Sequence, residues 1–411
     1  MPKPTPGTMY TIVRGDTLWG ISARAYGRPL KWKDIWQANS TVLRSGDPNL
    51  IFPGEVIFIP GDVVIEDAKP DLSLDLRDRD PYDFEIVIGG KETPVESANV
   101  TLTMDTFADG WTASLADDPD NPVFKPYAYP EALVYMGGRR VITGLLYSVE
   151  PSLDSSGARV ALEGWSRTAD LVDSTIKAPY EVSNATLEQR ARALIEPLGV
   201  PVVWSSKDNT KFKRIKAQRS DQIFSHLDKL AEQRGVCLSC TRDGKAQFHD
   251  PATSGTIGTI AEGTATLETL RTKFDGRKRF NVYTAFGAGP KKNVSGVAKD
   301  DNVPRSRMTT FQADDTTDGD VGAAAEYQRN QAIRDALTIT LPVGGWYGPD
   351  GKLWTPGTIV TVISRTLRLP KGFDFLIRKV DFTWSKDKAS ATIDIVPPSV
   401  FTRGALVDPW A

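Results

Sequence analysis

Apolar and polar residues alternate through most of the chain beyond residue 84, and that period of two specifies β-structure with one face turned inward. Residues 84–88, 98–104, 132–135, 142–149 and 159–164 form an early block of such segments, most of them separated by Gly, Asp or Pro. A later block holds residues 359–363, 376–384 and 389–395, the last two turning at Lys386-Asp387-Lys388. Helical patterns do not alternate with these strands, so the series predicts closed or strongly curved β domains and argues against a βαβ repeat.

The stretch between the two blocks reads differently. Asn184 is placed to cap a helix carrying Leu187, Ala191, Leu194 and Ile195, which stops around Pro197. Ser220 or Asp221 opens a second, with Ile223, Leu227, Leu230 and Ala231 as its apolar stripe before Gly235. GVCLSCTRDGKAQFHD then predicts a hairpin turning at Asp243-Gly244. Further on, residues 323–337 read as a helix, and Pro356-Gly357 turns into the strand on which Val360 and Val362 share a face. In the early block Gly137-Gly138 permits a hairpin turn, Gly144 a bend, and Gly164-Trp165-Ser166 a strand exit.

With 411 residues the chain can bury several cores. A formal charge of -2 and a pI near 5.9 give no support to a large nucleic-acid surface. Two cysteines cannot form a disulfide framework. MPKPTPGTMY lacks the apolar core of a secretory signal, and no long charge-free segment suggests a membrane-spanning segment, so synthesis in the cytoplasm is expected. The Asp- and Pro-rich residues 66–83 read as an exposed linker.

Ahead of that linker, YTIVRGDTLWGISARAYGRPLKWKDIWQANS and PNLIFPGEVIFIP give strand, capped helix, second helix and strand. This order resembles the LysM domain, a βααβ fold that binds peptidoglycan and chitin. The resemblance implies a groove between Gly15, Asp16, Thr17 and Leu18 on one side and Ile51, Phe52 and Pro53 on the other. Such a groove holds N-acetyl groups and glycan backbone in the family, and the same fold also serves as a protein-docking module.

In the body, SANVTLTMD, GWSRTADLVDS and GGWYGPDGKLWTPGTIVTVISRTLRLPKGFDFLIRKVDFTWSKDKASATIDIVPP occur in an order that resembles the hub proteins of contractile phage tails. The resemblance implies a multidomain α+β chain: a βααβ LysM domain at 1–62, a linker at 63–82, a first β-barrel-like hub domain at 83–180, an α/β insertion at 181–255 and a second β-barrel-like hub domain at 256–411. It further implies a homotrimeric ring in the virion baseplate, joining the tail tube protein to the spike protein and leaving a conduit for the tape measure protein and for DNA passing without sequence-specific contact. The LysM domain would dock wedge or sheath components, or peptidoglycan. The other reading is a virion-associated peptidoglycan-binding adaptor with the β body as spacer.

No residue pattern calls for catalysis, a metal or a cofactor. Cys237 and Cys240 have CxxC spacing near His226 and His249, but on a strand residues three apart point to opposite faces, and no second pair exists. Carboxylates cluster in turns, and neither histidine sits in an HxxxH setting. Gly255, Gly258 and Gly263 lack the strand, helix and lysine of a phosphate loop. Local basic runs at 271–278 and 291–292 fit solvated turns or a channel lining. Trp346, Tyr347 and Trp354 are expected at a β-domain rim or subunit interface.

Overall fold

A computed structural model of the chain describes residues 4–6, 8–26, 32–40, 43–45, 47–48, 50–60, 80–116, 127–154, 157–251, 255–264, 267, 270, 275–287, 295–312, 321–401, 407 and 409–410. It divides into two compact units, Met1–Leu74 and Asp75–Ala411. Most of the expected linker, and residues 271–274 and 291–292 of the basic runs, lie outside the described residues.

In the first unit β1 (Thr8–Thr11) and α1 (Leu18–Tyr26) are followed by α2 (Trp32–Asn39) and β2 (Val56–Ile59). The two strands pair antiparallel with Tyr10 opposite Ile57. Their inward residues Tyr10, Ile57 and Ile59 meet Leu18 and Ile21 of α1 and Ile35 of α2 in one core. Thr17 caps α1, its Oγ1 accepting the Gly20 N–H at 3.0 Å. Asn39, buried at the end of α2, bonds both backbone groups of Phe58: its Nδ2 donates to the carbonyl at 2.7 Å and its Oδ1 accepts the N–H at 2.8 Å. A single buried amide thus fixes helix against strand.

The second unit opens with β3 (Phe84–Ile88), β4 (Lys91–Thr93), β5 (Ser97–Thr103), β6 (Gly110–Ala116), β7 (Glu131–Met136), β8 (Arg139–Asp154) and β9 (Gly157–Ser166). Gly137 and Gly138, at φ +55° and +72°, make the tight turn between β7 and β8. Next come α3 (Asp170–Asp173), β10 (Glu181–Thr186), α4 (Leu187–Ile195), β11 (Val202–Trp204), β12 (Lys211–Lys216), α5 (Ile223–Glu232), β13 (Cys237–Cys240) and β14 (Ala246–His249). The chain continues as β15 (Thr256–Ala261), β16 (Val282–Phe286), β17 (Ser295–Lys299), β18 (Met308–Gln312), α6 (Val321–Leu337), β19 (Ile339–Gly344), β20 (Ile359–Ser364), β21 (Leu369–Ser385) and β22 (Lys388–Val396).

Two β-barrel-like domains are not what forms. Strands from both blocks join one twelve-stranded open sheet, in the order β15-β20-β21-β5-β6-β9-β8-β7-β3-β4, with β22 on β21 and β19 on β22. No sheet among the described residues closes into a barrel. The long β21 explains this. Its first half pairs with β20, while residues 379–385 pair with β5 at residues 97–103, nearly 280 positions earlier. The β5 edge that a closed barrel would use for itself is thereby taken by the other block. One core runs the length of this sheet, and Trp111, Trp346 and Trp354 are buried within it. The last two correct the expectation of rim or interface residues. Val360 and Val362 do share its buried face.

The insertion has its own core, from Leu187 and Leu194 of α4 to Leu227 and Leu230 of α5, over two small sheets, β10-β12 and β11-β14-β13. Its α4 is capped by Thr186 rather than Asn184: Thr186 Oγ1 accepts the Gln189 N–H at 3.2 Å, and Gln189 Oε1 accepts the Thr186 N–H at 3.0 Å. Asn184 sits within β10 at φ +55°. A further three-stranded sheet, β17-β16-β18, is absent from the sequence reading. Val321 and Ala325 of α6 cover its Tyr283, Ala285 and Ala298.

Candidate functional site

In the first unit Gly15 lies at φ +91°, which opens the turn ahead of α1. Asp16 faces inward, its side chain only 4% exposed. It accepts the Tyr10 hydroxyl and the Val13 N–H, each at 2.9 Å, and pairs with Arg24. Burial opposes its charge, yet these donors hold its carboxyl below the usual range. Thr17 is committed to the helix cap, and the Leu18 side chain is core.

Across from them, Ile51 packs on the same core as Leu18, while Phe52 and Pro53 are exposed. The Gly54 N–H donates to the Ile12 carbonyl at 2.8 Å, tying this loop to the end of the strand that leads into the Gly15 turn. Glu55, buried below the loop, accepts the Arg44 N–H at 2.9 Å and the Phe52 N–H at 2.7 Å. Those bonds hold its carboxyl low. Leu18 and Ile51 are therefore brought together in the core. Of the expected groove residues, Gly15, Thr17, Phe52 and Pro53 are exposed. The sequence reading missed Trp19 and Leu50, both more than half exposed. The signal was available, since Trp19 falls outside the Leu18-Ile21-Ala25 stripe of α1.

In the second unit two polar clusters join the insertion to the large sheet. Asp109, buried at the start of β6, accepts the Thr103 N–H at 2.8 Å and the Cys240 thiol of β13 at 2.9 Å. Burial pushes its carboxyl up to about 7. Close by, Ser166 and Thr168 both donate to the Phe107 carbonyl, at 2.9 Å and 2.5 Å. The second cluster centres on Arg334 of α6. It contacts Glu232 of α5 at 2.5 Å and Asp105 at 3.8 Å, and Asp105 also accepts Arg378 of β21 at 2.7 Å. Burial pushes the Asp228 carboxyl up to about 7, helped by neighbouring Glu232, whose own carboxyl burial also raises.

Three family models match this chain: the LysM domain over residues 10–60, the second domain of gp44-like baseplate hub proteins over 168–248, and the fourth domain of the Mu phage baseplate assembly protein GpP over 318–404. The baseplate hub protein gp44 of Escherichia phage Mu is 27% identical over 285 residues, which cover 65% of this chain and 74% of that protein. The crystal structure of the prophage MuSo2 43 kDa tail protein from Shewanella oneidensis aligns with a TM-score of 0.68 at 25% identity, covering 77% of this chain and 99% of that one. The chain belongs to the phage-tail baseplate hub family, with an N-terminal LysM domain. A tail protein from Neisseria meningitidis shares the hub fold at 20% identity, with a TM-score of 0.66 over 78% of this chain and 98% of that one.

The general role of the hub is structural rather than enzymatic, as a component of the phage tail baseplate. The Arg334 cluster links the two segments matched by hub models, because Glu232 lies in 168–248 while Arg334 and Arg378 lie in 318–404. Cys237 packs among Met104, Ile333 and Leu337, whereas Cys240 bonds Asp109, so the two thiols serve different surroundings. His226 accepts the Arg190 Nε–H at 3.3 Å, and its burial beside that cation pushes its pKa down to about 3. His249 Nδ1 lies 3.0 Å from the Asp250 carbonyl. Among the described residues no group of three or more His, Cys, Asp or Glu is placed to hold a metal ion, and no helix is long and apolar enough to cross a membrane.

Proposed function

We propose that this hub forms a trimeric ring that connects the tail tube to the central spike and encloses the conduit for the tape measure protein and DNA. The pairing of β5 with β21 is the observation that carries the reading. It fuses the early and late strand blocks into one sheet, and the polar clusters at Asp109 and Arg334 fasten the insertion to it. A subunit built this way suits a connector between tube and spike, because its strand blocks and insertion are joined to one another. Ring closure would come from repeated heterologous contacts between copies. Co-expression with the tube and spike proteins from the same particle tests the reading. Native mass spectrometry should return complexes holding three copies of this chain. A single copy per spike trimer contradicts the ring.

The LysM domain, in this reading, docks a neighbouring baseplate protein or touches peptidoglycan through the groove at Gly15, Asp16, Thr17, Leu18, Ile51, Phe52 and Pro53. Exposed Phe52 beside the Gly15 turn supports the glycan alternative, in which the protein acts as a virion-associated peptidoglycan-binding adaptor. Calorimetry with chitooligosaccharides separates the two. Binding abolished by Phe52→Ala supports glycan contact, and absence of binding leaves protein docking. Leu18 is unsuitable for that experiment, because its replacement perturbs the core.

A further inference from the structure

The first turn of α5 opens on a cavity of about 320 Å³ within the insertion, whose wall includes Thr175, Ser220, Asp221, Ser225, His226 and Lys229. Thr175 bridges to Gln222, the N-cap residue, and the Gln222 side chain accepts no backbone N–H of the helix. Asp221, one residue earlier, could have served as a cap, but its carboxylate accepts the Gln218 N–H at 2.8 Å. The amides of that turn are therefore left uncapped at the cavity, where their dipoles favour negative charge.

His226 supplies an independent observation. The residue is 3% exposed, and its Nε2 accepts the Arg190 Nε–H at 3.3 Å. A guanidinium can only donate, so Nε2 is the bare nitrogen of the ring and Nδ1 carries the proton. That Nδ1–H has no acceptor among the described residues, although His226 forms part of the cavity wall. A buried donor left unmatched is costly, and an acceptor placed in the cavity would remove the cost. Arg190 is itself 2% exposed, with bonds only to His226 and the Pro179 carbonyl, and no carboxylate among the described residues pairs with it. Lys229 brings a second positive charge close to the ring. Donors and two cations thus converge here, and Asp221, the single carboxylate of the wall, is already engaged by Gln218.

We propose that this cavity is a binding site for a small oxyanion, a phosphate or a carboxylate group. The His226 Nδ1–H, the Ser225 hydroxyl and the amides at the start of α5 donate to its oxygens, and Lys229 supplies the opposing charge. Arg190 is a positioning residue: its bond to Nε2 keeps the imidazole in the tautomer that donates into the cavity. The site lies within one chain and does not depend on ring formation, so its test and that of the trimer fail separately.

The full chain carrying nitrogen-15-labelled histidine gives two imidazole signal sets, from His226 and His249, which His249→Gln assigns. It would be titrated with inorganic phosphate and, separately, with acetate, at an ionic strength held constant with chloride. The site predicts the Nδ1–H tautomer for His226 in the free protein. It also predicts a saturable shift of His226 Nδ1 with at least one probe, while His249 stays in place. Saturation by phosphate identifies a phosphoryl ligand, and saturation by acetate alone identifies a carboxylate. Lys229→Gln, at a partly exposed position, should weaken the saturating probe about tenfold or more. Saturation by neither probe, equal movement of both histidines, the Nε2–H tautomer at His226, or an affinity unchanged by Lys229→Gln would overturn the proposal.

Discussion

Replacing Arg334 by methionine keeps the volume of the side chain and deletes its charge. In the hub this arginine is 6% exposed and faces the carboxylates of Glu232 and Asp105, with Asp228 close by. Breaking a buried pair by removing one partner costs about 3–5 kcal/mol, because the remaining charge is left uncompensated. The remaining carboxylates can escape that cost by taking a proton, and their environment already favours this: the Asp228 carboxyl stands at about 7 and that of Glu232 is raised, chiefly by burial. The penalty must therefore depend on pH. Near pH 5 the Asp228 carboxyl is protonated, so the variant leaves less uncompensated charge in the cluster and loses less. At pH 8 the Asp228 carboxyl is ionised in the native protein, more negative charge is left facing the missing cation, and the full cost is expressed. Native-state hydrogen exchange of α5 and α6 reads this directly. Every 1.36 kcal/mol is a factor of ten, so protection at pH 8 should fall about a hundred- to a few-thousand-fold, up to the limit set by global unfolding. At pH 5 the loss should be tenfold or less. Adding Glu232→Gln should restore part of the protection at pH 8. A loss of equal size at both pH values would refute the electrostatic reasoning, and a loss below tenfold at pH 8 would show that the cluster does not hold α5 to α6.

Asp109→Asn should stabilise the joint between insertion and sheet at alkaline pH. With the folded carboxyl raised to about 7, the unfolded chain holds fewer protons between about pH 4 and 7, so the native protein loses stability as pH rises through that window. The advantage of the variant should grow across it towards about 4 kcal/mol above pH 7, less the cost of rearranged hydrogen bonds, as read by exchange at β6 and β13. His226 has the opposite slope: its folded pKa is depressed to about 3, so stability is complete above about pH 6.5 and is lost as pH falls towards 3. His226→Gln should flatten the acid dependence of α4 and α5 exchange. Thr186→Ala removes the reciprocal cap of α4 and should cost about 1 kcal/mol by the same measurement, whereas Asn184→Ala should leave the α4 cap intact. Gly164→Ala places a methyl 2.3 Å from the Trp111 ring and should lower the thermal midpoint sharply, in contrast to Gly276→Ala, where the added methyl meets nothing within 4 Å.

The parts legible in the sequence were those that local chemistry decides. The alternation of Val360 and Val362, the Gly137-Gly138 turn, the hairpin at Asp243-Gly244 and the apolar stripe of α5 all follow from neighbouring residues, and each is present. Pairing across the chain was not legible. Nothing within residues 97–103 announces that their free edge will meet residues 379–385, so two barrels were expected where one open sheet forms. The β16 to β18 sheet escaped notice because its strands are five residues each and alternate weakly, as in SGVAK and MTTFQ. Trp346 and Trp354 look like surface aromatics beside Gly and Pro, yet the sheet folds over them. In the groove, Asp16 and Leu18 were legible as part of a motif, but their inward direction depends on Tyr10 and Arg24, which only tertiary packing brings to them.

The trimeric ring is tested most directly by the solution mass of the purified full chain, taken by light scattering across a rising concentration series. The hub reading predicts convergence on three times 45.0 kDa, with ring-shaped particles in the same fractions. A mass that stays at 45.0 kDa at the highest concentration, and stays so when the spike protein is added, would contradict it.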